Sequence, residues 1–146
     1  MGKAQLEELE RHGKYFSVPK GISMKPMLGN RKSVVEIHKL SVPAKLYDLV
    51  LYLRPNDQGV IHRVLKVREN DYVIAGDNCW QKEYIAKDRV VGIAVRFCRN
   101  ETWYEVNDPA YRIYVRLWTD LFFLRRPLFY LRDKLKSVKR KSSNAK

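Results

Sequence analysis

The chain has only two cysteines, three histidines and no long uncharged apolar run. Cys79 and Cys98 form no CxxC pair, and three histidines supply no zinc spacing, so neither metal nor cofactor is expected. Two isolated thiols fit a reducing compartment rather than a disulfide framework. The absence of about 18 consecutive uncharged apolar residues argues against a transmembrane helix. Met1 to Glu10 is polar and charged, so a secretory signal peptide is not expected either. Acidic residues are also scarce, 16 against 29 basic ones, for a net charge of +13. The excess is uneven. From Ala110 onward there are 11 basic and 2 acidic residues, and the preceding 109 positions hold 18 and 14. The C-terminal quarter therefore seeks anionic lipid, nucleic acid or an acidic partner.

What is present suits one domain with an appendage: 146 residues, 45% of them hydrophobic. Lys3 to His12 reads as a short helix closed by Gly13. Strands are expected at 14–19, 33–39, 49–53, 60–68, 72–75, 89–98 and 102–106. Turns fall at Pro55-Asn56-Asp57, Glu69-Asn70-Asp71 and Arg99-Asn100-Glu101. Gly21, Pro26 and Gly29 mark 20–30 as a loop. Asn107-Asp108-Pro109 starts a helix, with Asp108 as N-cap and Pro109 at the first helical position. Tyr111, Tyr114, Val115, Trp118, Leu121 and Phe122 follow at helical spacing, and Leu128, Leu131, Leu135 and Val138 continue the stripe. Pro127 is expected to kink or break this helix after Arg126. The division is thus 1–109 as a mainly antiparallel β body, 110–138 as an amphipathic helical appendage and 139–146 as a basic disordered tail.

Three segments carry candidate chemistry. Gly21-Ile22-Ser23-Met24-Lys25-Pro26 exposes a serine in a Gly/Pro-bounded loop, with backbone N–H groups close by. Ile61-His62-Arg63 sets a histidine in mid-strand. A serine needs such a base within hydrogen-bond reach. Gly76-Asp77-Asn78 follows the next strand, and Asp77 and Glu83 are the carboxylates available to orient the imidazole. A loop serine, a strand histidine or an aspartate in a turn is ordinarily structural. Their joint occurrence carries the reading.

In this order and separation the segments resemble the type I signal peptidases, within the clan that includes LexA-like self-cleaving repressors. Ser23 to Leu28 (Ser-Met-Lys-Pro-Met-Leu) looks like the nucleophile box. Tyr47-Asp48-Leu49-Val50 resembles the Gly-Asp-Val-Val segment, with Tyr47 in place of glycine. His62-Arg63-Val64 looks like the base box, and its His is the mark of the endoplasmic-reticulum and archaeal type. Gly76-Asp77-Asn78 and Val90-Val91-Gly92 resemble the two boxes that follow. The likeness spans about Lys14 to Val95. It implies a barrel-like antiparallel β core and a serine endopeptidase that uses Ser23 as nucleophile and His62 as general base. Glu83 matches the third member's position, where Asp is usual. Asp77 would orient His62 or brace its loop. The Ser23 N–H would help form the oxyanion hole, and Gly21 stands where many relatives place a further hydroxyl donor.

The implied substrate is a peptide or preprotein that loses a leader. The implied place is the cytoplasm or the cytoplasmic membrane surface. The appendage offers two readings: an interfacial helix on anionic lipid, or a helix docked on the β body with solvated charges. Nucleic acid is the weakest partner, because no recognised nucleic-acid module accompanies the basic tail. The rival reading is a non-catalytic module of the same fold that binds membrane, RNA or a protein partner through its tail.

Overall fold

The computed structural model describes residues 3–143. Helix α1 (Lys3–His12) is followed by β1 (Lys14–Ser17), β2 (Ser33–Lys39), β3 (Leu49–Leu53), β4 (Gly59–Val67) and β5 (Asp71–Ala75). Then come β6 (Glu83–Ala86), β7 (Val90–Arg99), β8 (Thr102–Glu105), α2 (Pro109–Asp120) and α3 (Phe122–Ser143). The protein is therefore mainly antiparallel β, with one short helix before the sheet and two after it.

The strands form a single sheet in the order β1-β2-β7-β3-β4-β5-β6, and β8 pairs with β7. Strand β7 is its spine. One edge carries β2, and the other carries β3 and then β8 further along. The expected barrel does not close, because the end strands β1 and β6 do not pair with each other. Strand β6 has no clear sequence signature. Its four residues alternate half-buried and exposed, too short a run for a periodic signal. The strand expected from Arg89 begins at Val90, because Lys87–Arg89 forms a 3-10 turn.

Both faces of the sheet are covered. Leu49 and Leu51 of β3 join a core with Leu9, Met24, Met27, Leu28, Ile37 and Phe97. Val50 and Tyr52, pointing the other way, join Val64, Tyr72, Ile74 and Val90. Two buried faces explain the unbroken apolar run of β3. Three of the core residues, Met24, Met27 and Leu28, belong to the Ser23 loop and anchor it to the sheet. On the chain before the sheet, Gly13 closes α1 with its N–H on the Leu9 carbonyl at 2.9 Å.

The C-terminal helices differ from expectation in three ways. Asp108 occupies the N-cap position of α2, but its side chain accepts the Glu105 N–H at 3.0 Å and caps no helical N–H. The break falls at Leu121, six residues before Pro127, which lies inside α3. At that place the proline removes only one helical bond, the one its N–H would give to Phe123, and the helix runs on. Residues 139–143, expected to be disordered, continue α3, and residues 144–146 of that tail lie outside the described residues.

A buried ion pair ties these parts together. Arg63 of β4 and Asp77, just past β5, are both buried, and Arg63 faces Ala75 in the strand register. The guanidinium grips both carboxylate oxygens at 2.8 Å. Its remaining donors reach the Tyr47 carbonyl at 3.1 Å, the Tyr111 hydroxyl at 3.2 Å and Met27 Sδ at 3.1 Å. All five donors of an arginine are thereby used. Burial alone would lower the Arg63 pKa, but the Asp77 charge overrules it and raises it. Asp77→Ala leaves that cation buried without its counter-charge. Urea unfolding should show a loss of about 3–5 kcal/mol, and a loss below about 1 kcal/mol would contradict the role given to the pair.

Candidate active site

Ser23 lies half-buried in the 20–30 loop, held from two sides. From below, Met24, Met27 and Leu28 fix the loop to the core. From above, the Gly76-Asp77-Asn78 turn clamps it. The Asn78 N–H donates to the Ser23 carbonyl at 2.7 Å, and Asn78 Nδ2 donates to the Ile22 carbonyl at 3.0 Å. Gly76 is the pivot of this arrangement. A Cβ there would stand 2.6 Å from the Ser23 carbonyl oxygen, 2.8 Å from Cys79 Sγ and 3.1 Å from His62 Nε2. Only a residue without a side chain lets the serine loop and the imidazole approach this closely.

His62 is buried at 4% exposure. Its Nδ1 lies 3.2 Å from Glu83 Oε1 and 3.1 Å from the Tyr52 hydroxyl. A proton on Nδ1 satisfies the carboxylate and leaves the Nε2 lone pair on the side of Gly76 and the Ser23 loop. Among the described residues no hydrogen bond joins Ser23 Oγ to Nε2, and none occupies the Ser23 N–H. Bonds of the first kind are often long until substrate is bound.

Glu83 is itself held. Arg54 grips it with Nε on Oε2 at 3.0 Å and Nη2 on Oε1 at 2.9 Å. Burial would raise its carboxyl, but hydrogen bonds from His62, Arg54 and Tyr52 prevail and lower it to about 2. The group beside the imidazole is thus a carboxylate at neutral pH. Conversely, burial and then the Glu83 charge push the Tyr52 hydroxyl far above its ordinary range, so it stays a neutral donor.

The two candidate carboxylates therefore have different places. Glu83 meets His62, and Asp77 is spent on Arg63. Asp77 also accepts from the Tyr114 hydroxyl at 3.4 Å. Its backbone carbonyl takes the Trp118 indole N–H at 2.8 Å and an Arg125 Nη1 bond. Asp77 braces the loop and does not touch the imidazole. Gly21 offers no hydroxyl, and its own N–H is taken by Asn30 Oδ1 at 2.8 Å. Tyr47, standing where the resemblance has glycine, has a φ of +78°, a backbone that glycine adopts freely and tyrosine under strain. Its carbonyl on Arg63 shows what that strain accomplishes.

Three features escape a reading of the sequence alone. Tyr52 sits diagonally across β3–β4 from His62, since Val50 faces His62 and Tyr52 faces Val60. The strand register, once known, would have exposed it. Arg54, two residues further on, gives no signal before β6 is placed. The third is the inward role of the appendage's cations. Trp118 and Arg125 brace Asp77, while Arg132 donates to Asn78 Oδ1 at 2.6 Å and to its carbonyl at 3.1 Å. Cations that read as lipid-facing or solvated thus hold the turn that clamps the serine loop.

Ser23, His62 and Glu83 all line one cleft of about 930 Å³. Tyr15 and Ser17 of β1 and Tyr84 of β6 line it too, so both end strands of the open sheet border it. The cleft also holds Cys79, whose thiol is pushed up by burial and by the Glu83 charge. It is therefore protonated and a poor nucleophile, which leaves the serine as the candidate.

The lowered Glu83 pKa has a consequence for stability. The ordinary glutamate value is about 4.3. A depressed folded value means a contribution that is full above that pH and is lost as pH falls through about 2. Urea unfolding of wild type and Glu83→Gln between pH 2 and 6 should show a stability difference that shrinks toward acid. A difference independent of pH would contradict the assignment.

Comparison with protein-family models, with curated proteins and with solved structures gives no match to this chain.

Proposed function

We propose that this protein is a serine endopeptidase of the signal-peptidase type, in which Ser23, His62 and Glu83 act together. The observation that carries the reading is the imidazole pinned by Glu83 through Nδ1, with Nε2 on the side of the serine loop across Gly76. The resemblance of the boxes around Ser23, His62 and Gly76 supports it. Ser23 Oγ attacks the scissile carbonyl carbon and its proton passes to His62 Nε2. The imidazolium gives that proton to the leaving amine as the C–N bond breaks. Water, deprotonated by the same nitrogen, then releases the acyl group. The unoccupied Ser23 N–H is one oxyanion donor. The hydroxyl absent at Gly21 would cost on the order of 10²-fold in rate if nothing replaces it.

The proposed place of action is an anionic membrane surface, where a leader would be removed from an exported or modified peptide. Among the described residues no helix is long and apolar enough to cross a membrane. The helices instead carry a ridge: Ile113, Leu117 and Leu121, then Leu124, Leu128, Leu131, Leu135 and Val138. These side chains are 43% to 66% exposed, while Trp118 and Arg132 of the same helices bond Asp77 and Asn78. Exposed Lys134 and Lys136 lie on the same helix, α3, so a second copy would meet like charge and an anionic bilayer would meet opposite charge.

One experiment addresses the chemistry. A peptide library is incubated with wild type and Ser23→Ala, with and without phosphatidylglycerol vesicles, and read by mass spectrometry. Cleavage should fall about 10³-fold or more in the variant. Equal patterns from the two proteins would overturn the peptidase and favour a non-catalytic binding module. The ridge has its own test. Leu128→Glu with Leu131→Glu should weaken sedimentation with those vesicles by at least about tenfold, and unchanged sedimentation would contradict docking of the ridge on a membrane.

A further inference from the structure

The charge in the cleft is one-sided. Among the described residues Glu83 is the only carboxylate lining it, and that carboxylate is committed to Arg54 and His62. Three further cations line the same cleft: Lys20 on the serine-loop side, and Lys82 and Arg126 beyond the Gly76-Asp77-Asn78 turn. Among the described residues none of the three forms an ion pair. Lys82 Nζ lies over the Phe122 ring at 5.2 Å, and Arg126 spends only Nε, on the Trp80 carbonyl at 3.3 Å. Its two terminal nitrogens remain available for a ligand.

A second cavity of about 420 Å³ adjoins the first and shares Trp80, Lys82 and Arg126 with it. Its other walls are Phe122, Phe123, Pro127 and Tyr130. Trp80 and Tyr130 meet edge to face at 5.0 Å, which sets the aromatic walls at an angle to each other. Phe123, Arg126 and Tyr130 follow one another at helical spacing along α3. This face is distinct from the Leu128–Leu131 ridge and from the face that docks through Arg125 and Arg132. An aromatic annex rimmed by two cations suits a bulky apolar side chain with carboxylates beside it. Unpaired cations in a cleft also raise the local concentration of an anionic ligand.

We infer that the cleft takes an acidic peptide segment, with a bulky apolar side chain seated in the annex and neighbouring carboxylates on Lys82 and Arg126. Its cleavage rests on the serine-peptidase reading, but its binding does not. The probe is two peptide pools of equal length, each with phenylalanine at randomised positions, that differ only in having Glu in one where the other has Gln. Cleavage is followed with wild type by mass spectrometry, and binding is followed with Ser23→Ala by calorimetry. The Glu pool should be bound and cut at least about fivefold better at low salt, and the preference should shrink as salt is raised. Lys82→Glu should abolish or invert the preference. Lys20→Glu, an exposed position on the other wall, should weaken it, and Tyr130→Ala should remove the advantage of phenylalanine.

The outcomes separate the two claims. Cleavage of both pools at equal rates, unmoved by Lys82→Glu, overturns the acidic-substrate inference and leaves the peptidase standing. Preferred binding of the Glu pool without any cleavage overturns the peptidase and leaves the inference standing. Neither binding nor cleavage of either pool overturns both.

Discussion

The Arg63–Asp77 pair is the constraint on which the rest of the structure depends. Removing two charges from water costs several kcal/mol per ion, and only complete hydrogen bonding offsets it. Here the offset recruits five separate parts of the chain. Strand β4 gives Arg63, and the turn after β5 gives Asp77. The strained Tyr47 segment gives a carbonyl, the serine loop gives Met27, and α2 gives Tyr111 and Tyr114. No one of these parts can move without exposing a buried charge. The pair thus sets the register of the whole assembly.

The candidate site is built outward from that centre. Because Asp77 is immobilised, its neighbours Gly76 and Asn78 are immobilised with it. Asn78 then holds the Ser23 carbonyl, and Gly76 admits His62 Nε2 to the same small volume. A separate set of groups governs the imidazole from behind. Arg54 and Tyr52 keep Glu83 ionised, and Glu83 selects which ring nitrogen carries the proton. Asp77 thus braces the turn that holds the serine loop, and Glu83 contacts the imidazole itself. That division explains why the sequence contains both Asp77 and Glu83 within seven positions.

Most strands and all three helical regions were legible in the sequence, because β-branched runs, Gly/Pro turns and the Asp108-Pro109 start are local signals. Residues Ser23, His62 and Glu83 were legible as candidates because their boxes are short and ordered along the chain. The choice between Glu83 and Asp77 was not, since it depends on β6, a four-residue strand with no periodic signature. The open sheet was equally hidden, because closure depends on whether β1 and β6 meet. The C-terminal stripe divides between two environments. Tyr111, Tyr114 and Trp118 turn inward while Leu128, Leu131 and Leu135 turn out, and the break at Leu121 separates the two sets. One apolar pattern served two environments, which spacing alone does not distinguish.

In the proposed mechanism Glu83 fixes the His62 tautomer so that Nε2 can take the Ser23 proton. Long-range 1H–15N spectroscopy of the histidine rings, on wild type and Glu83→Gln, tests it without any substrate. The wild-type ring should hold a proton on Nδ1, beside Glu83, and the variant should shift toward the Nε2 tautomer. A wild-type ring protonated on Nε2, or a tautomer unchanged by Glu83→Gln, would contradict it.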